Sequence, residues 1–153
     1  MAENTLSSAH ITKLLHPIFD EQIMNYGAYN LVFVTGSAIY RNADIAQQQS
    51  SDQRYFIMGY RDNPHEVIVA PLSLPEAKAN GTPTSIDNTN AMRVYAVNDE
   101  TLGLESTNGS SFIVRLAPKV TIETLEGSGE LDQSADVEDF TQFLVDTWLE
   151  DQD

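Results

Sequence analysis

The stretch RDNPHE carries the densest chemistry in this chain, with Asp62, His65 and Glu66 inside one turn. A carboxylate beside an imidazole can pass a proton, and two carboxylates with an imidazole can hold a divalent cation. These three residues are therefore candidates for a small-ligand or acid–base site. The same residues also suit an ordinary turn, with an aspartate capping it and Asn63-Pro64 setting the backbone. Other motifs fall short of a site. Histidine occurs only at His10, His16 and His65. His16 and Asp20 are four apart and could share a helix face, but a metal site needs more convergent ligands. VTGSA has one glycine where a dinucleotide loop needs three opening a helix. There is no GxSxG elbow and no DxDxDG calcium loop. The absence of cysteine removes disulfides, thiolate catalysis and sulfur-bound metals together. The chain is expected to carry no cofactor and no metal, and to be a binder rather than an enzyme.

A second set of candidates lies in the final segment, DVEDFTQFLVDTWLEDQD. At 100° per residue, Val137, Phe140, Leu144, Val145 and Trp148 fall on one stripe, and Asp139, Asp146, Glu150 and Asp153 fall opposite. Such a stripe ordinarily packs on a sheet as core. Phe143 sits at the border of the acidic face. Glu150, Asp151 and Asp153 crowd a helix C-terminus, where the dipole is already negative. From Glu126 onward there are ten acidic residues and no basic one. A basic partner would relieve that repulsion, so Phe143, Trp148, Glu150 and Asp151 are candidate partner-binding residues.

The whole chain has the same bias: 8 basic against 23 acidic residues, a net charge of −15 over 153 residues. Such a field repels phosphate backbones and anionic bilayers, which argues against direct nucleic-acid binding. It fits a basic partner, simple solubility or a saline habitat, and composition does not separate these. The first fifteen residues lack a basic region ahead of a long apolar run, and no apolar stretch approaches a membrane span. The expectation is one soluble, cytoplasmic domain without membrane insertion.

The elements that would position these residues are legible from periodicity. Ile11, Leu14, Leu15, Ile18, Phe19 and Ile23 predict a helix over 8–25, capped by Ser7 or Ser8, ended by Gly27 and interrupted near His16 by Pro17. A strand-rich body spans 28–126. YNLVFVTGSAIYR reads as a strand with a bulge or bend at Gly36, and RYFIMGY and EVIVAPL are apolar on both faces, as central strands are. Residues 73–91 read as a long break in which LPEAKANG forms a helical turn or two. MRVYAV, TLGLEST, SSFIVRL and KVTIETL predict an antiparallel meander, with Asn108-Gly109 as a hairpin turn. EGSGELDQSA reads as a loop before a C-terminal helix over 135–151, capped by Ser134 or Asp136. Tyr26, Tyr29, Tyr40, Tyr55, Tyr60 and Tyr95 fall at strand or loop edges, where they pack across strands or line a groove.

The fold predicted is α+β: a mainly antiparallel sheet or partly open roll of about six or seven strands, with the C-terminal helix packed on it. Many strands followed by one amphipathic helix is an order similar to that of pleckstrin-homology-like rolls. With LPEAKANG as a helix, the order is also similar to that of the acidic chaperones of bacterial secretion systems. Both likenesses rest on element order alone. The leading functional expectation is a non-enzymatic protein- or peptide-binding module, possible as a homo-oligomer. The alternatives are a ligand binder or enzyme around Asp62, His65 and Glu66, and an acidic decoy of a nucleic-acid-binding protein.

Overall fold

A computed structural model describes residues 5–23, 29–40, 54–62, 65–107 and 109–148. It is α+β, with mainly antiparallel strands between two helices. The first elements are β1 (Thr5–Leu6) and α1 (Ser8–Asp20). Ser7 caps α1 by accepting from the His10 amide at 3.1 Å. The helix runs through Pro17 without a restart. Proline there removes only its own donor to the preceding turn, three residues before the helix ends. The helix ends at Asp20 with Glu21 as its C-cap, short of the predicted run to residue 25, and Gly27 itself lies outside the described residues.

β2 (Asn30–Tyr40) is followed by β3 (Tyr55–Arg61), β4 (Glu66–Ser73), β5 (Lys78–Ala79) and β6 (Thr84–Asp87). The long break thus contains two short strands, which share one edge of β4. LPEAKANG is not helical. Ala77 adopts φ 58°, its amide bonds back to Ser73 O at 2.9 Å, and β5 returns onto β4. That turn removes the helix on which the likeness to secretion chaperones rested.

β7 (Ala91–Ala96), β8 (Thr101–Ser106) and β9 (Ser110–Arg115) form the predicted meander. Asn108 lies outside the described residues, while Gly109 has φ 95°. β10 (Lys119–Thr124) leaves the meander, because the free side of β9 is taken by β2. It pairs instead with β11 (Gly127–Asp132), which also takes β1 in parallel. The stretch read as a loop is therefore largely strand. Its glycine content has a steric cause: a Cβ on Gly129 would lie 2.1 Å from Leu6 O of β1. α2 (Ser134–Thr147) completes the chain. Its N-cap position is Gln133, whose side chain makes no cap bond. Asp132 instead accepts from the Ser134 amide and hydroxyl.

The main sheet runs β5-β4-β3-β2-β9-β8-β7, with β6 on the same edge of β4 as β5. β6 and β7 therefore stand at opposite ends of it, about 29 Å apart if it were flat. Only residues 88–90 join them, a link that reaches about 14 Å. The sheet must curl into a partly open roll. β2 is its hinge strand: residues 30–35 pair with β3 and 35–40 with β9. Gly36 sits at the switch, where a Cβ would fall 1.9 Å from Ile113 O.

Strand alternation then builds two cores. Inside the roll, Val32, Val34, Phe56, Met58, Val67, Leu104, Phe112 and Val114 meet Phe140, Phe143 and Leu144 of α2. Outside it, Phe33, Ile57, Ile68 and Leu72 meet Ile11, Leu15 and Phe19 of α1, with Ile122 and Leu131 of the small sheet. No described helix is long and apolar enough to cross a membrane.

Candidate functional site: an acidic groove beside the C-terminal helix

The end of β3 and the start of β4 meet one flank of α2. Alternation sends Tyr60 into the roll while its neighbour Arg61 points out. On α2, Asp139, Gln142 and Asp146 recur at helical spacing and stay exposed, and Phe143 faces inward at 7% exposure. Together with Asp62 and His65 these residues line a depression of about 370 Å³. The two sets of sequence candidates thus meet in part. Asp62, His65 and Phe143 share one groove, although Phe143 is 78 positions beyond His65.

The wall of the groove is aromatic. The Phe143 ring lies 5.3 Å from Tyr60, 5.6 Å edge-on from His65 and 6.0 Å from Trp148. Trp148 packs against the inner core and donates from Nε1 to Asn88 Oδ1 at 2.7 Å, tying the end of α2 to the β6–β7 link. Glu150 and Asp151 lie outside the described residues.

Polar groups define the rim. The Tyr60 hydroxyl donates to Asp139 Oδ2 at 2.7 Å. Burial, and then the hydrogen bond to Asp139 and the charges of Asp139, Asp136 and Asp62, push this phenol far above the ordinary tyrosine range. It stays a neutral donor. Gln142 donates to Asp146 Oδ1 at 2.9 Å. His65 Nδ1 sits 3.0 Å from Asp62 Oδ1, but outside hydrogen-bonding geometry. Carboxylates of Asp62, Asp139 and Asp146 therefore surround a space walled by aromatic rings.

Glu66 is not part of this groove. Strand alternation turns it to the other face of β4, where it accepts from Tyr29 at 2.6 Å, Arg61 Nε at 3.1 Å and Ser85 at 2.5 Å. Arg61 also lies over the Tyr29 ring at 5.0 Å. Burial, followed by the Glu66 hydrogen bond and charge, raises the Tyr29 phenol to about 12. Glu66 is the hub of a structural network. Its consequence for the groove is indirect: Arg61 aims its guanidinium at Glu66 rather than at the groove's aspartates.

Elsewhere, His10 pairs with Glu126 at 2.9 Å on the surface. His16 borders a cavity of about 90 Å³ between α1 and the start of α2, floored by Leu15, Phe33 and Ile57. Among the described residues no three His, Asp or Glu side chains are grouped to hold a metal ion.

Sequence reasoning missed Asp139, Gln142 and Asp146 as site residues, and offered Tyr60 only as one of six tyrosines that pack across strands or line a groove. The three on α2 were legible as one helix flank. Tyr60 was not, because nothing local shows that α2 docks beside β3. Gln133 was missed altogether, although its side chain joins three parts of the chain. It accepts from the Phe33 amide at 2.8 Å and donates to Phe33 O and Ala117 O at 2.8 and 2.9 Å. It acts as a substitute strand partner where β2 has no β9 beside it. No protein-family model matches this chain, and no curated protein or solved structure does either.

Proposed function

We propose that the chain is a non-enzymatic binding module that takes a basic segment of a partner protein into the groove between the β3–β4 connection and α2. The supporting observation is that three aspartates, Asp62, Asp139 and Asp146, ring a depression walled by Phe143 and Tyr60. A lysine or arginine side chain entering it would gain charge-assisted hydrogen bonds from the carboxylates and ring contact for its stem. The chain's net charge of −15 would speed the encounter. A cytoplasmic location belongs to the same reading.

The test uses the single tryptophan, Trp148, whose ring contacts Phe143. An arginine- and lysine-rich peptide is titrated while tryptophan emission and heat are followed. Saturable binding that falls about tenfold in the Asp139→Asn/Asp146→Asn chain supports the groove. Equal loss in an Asp99→Asn control, on the turn before β8, would mean diffuse attraction and overturn it. So would no binding by either readout.

A further inference from the structure

Of the residues that line the groove, only His65 belongs to the class that changes charge near neutral pH. Its ring has a defined place. It stands edge-on to Phe143 at 5.6 Å, with Nδ1 3.0 Å from Asp62 Oδ1. Nδ1 itself is buried and has no hydrogen-bond partner, while the side chain as a whole is 39% exposed. Solvent therefore reaches the ring, though not this nitrogen. A neutral ring can keep its hydrogen on Nε2 and leave a bare Nδ1 beside a carboxylate. A protonated ring must carry a hydrogen on Nδ1. A small rotation would then complete a charge-assisted bond to Asp62.

The charges around the ring set the sign. The end of β3 supplies Asp62 and Arg61, and Arg61 is engaged with Glu66 at 3.0 Å. α2 supplies Asp139 and Asp146. The Tyr60 phenol is a neutral donor to Asp139, and Asn30 of β2 carries no charge. Three aspartates thus share the groove with His65, and the guanidinium that lines it is spent elsewhere. A proton on His65 places a positive charge beside Asp62. That is where the cationic side chain of a basic segment would sit, so the two repel each other and draw on the same carboxylates.

We infer that His65 makes the groove's hold on a basic segment depend on pH, because its proton and the partner's cation compete for Asp62 and the neighbouring aspartates. The inference rests on the groove being the basic-segment site proposed above, and adds how that site is regulated. The segment is held at neutral pH and released in mild acid. Linkage makes the effect reciprocal: a proton that weakens binding is itself held less tightly once the segment is bound.

The same arginine- and lysine-rich peptide, titrated into the full chain at about pH 7.5 and about pH 5.5 at constant ionic strength, tests it. Aspartates ordinarily titrate near about pH 4, below both conditions. Affinity should be about fivefold weaker at the lower pH, the ratio that follows when binding lowers an imidazole midpoint by about one pH unit. His65→Gln should lose that ratio, whatever its affinity at the higher pH, with circular dichroism confirming that it folds. His16→Gln, on α1 and away from the groove, should keep it. NMR gives the reciprocal reading: saturating peptide should lower the His65 titration midpoint by about one pH unit and leave that of His16 in place. Equal affinity at the two pH values overturns the inference. So does the same fall in His65→Gln, or a His65 midpoint that the peptide does not move. No binding at the higher pH overturns the groove reading and this inference with it, so the two failures are told apart.

Discussion

The β2–β4 half of the sheet is buried on both faces, whereas the β7–β9 half is buried on one. The difference is written into the strands. In YFIMGYR and EVIVAPLS the residues between the strand ends are all buried, while SSFIVR alternates buried Phe112 and Val114 with outward Ile113 and Arg115. A strand with cover on both sides gains from apolar residues at every position; a strand facing water on one side gains from every second one. The comparison teaches that exposure of Ile113 is not a packing failure. It belongs to the half of the roll that has no second layer.

The sharpest way to break the comparison is to make one change in both halves. Ile57 and Ile113 both point to the outer side, but Ile57 is 2% exposed beneath α1 and Ile113 is 38% exposed. Ile57→Ala should cost about 2–5 kcal/mol in urea unfolding, from lost transfer and a cavity. Ile113→Ala should cost under about 1 kcal/mol. Equal losses would mean that the two faces are covered alike.

The joint between the halves should be the next most sensitive place. Replacing Gln133 by leucine removes its three hydrogen bonds to Phe33 and Ala117 and strands those backbone groups, at about 2–3 kcal/mol. Hydrogen exchange should then quicken first at the Phe33 amide, which loses its acceptor, Gln133 Oε1. An unchanged Phe33 amide would show that β2 needs no such partner.

Alkaline pH should give the smallest effect, again confined to the doubly covered half. Tyr29 keeps its proton to about pH 12 in the folded chain, but only to about 10 when unfolded. Between those values the folded chain binds more protons, so stability falls as pH rises through that window. Tyr60 acts in the same direction. In Tyr29→Phe the fall in urea midpoint from about pH 9 to about pH 11 should be shallower. The same slope in both chains would remove Tyr29 as a cause.

Much of the fold was legible. The apolar stripes of α1 and α2, the doubly apolar β3 and β4 and the β7–β9 meander all follow from periods of 3.6 and 2. What was not legible depends on partners distant in the chain. β11 reads as a loop because glycine and serine have poor strand propensity, yet β10 supplies its ladder and Leu6 requires Gly129 to be bare. The candidate site behaved likewise. Asp62 and His65 are neighbours in sequence and remain so in space, while Glu66, next to His65, is carried to the opposite face by strand alternation.

By itself, the sequence determined the α+β class, the acidity, the absence of thiol chemistry and which side of each element is apolar, because these depend only on composition and local period. Tertiary structure alone decided that β2 changes partners, that the sheet curls into a partly open roll, and that Phe143 comes to stand beside His65. Those outcomes depend on pairings between residues far apart in the chain. Local periodicity shows which side of an element must be buried, but carries no information about which other element will bury it.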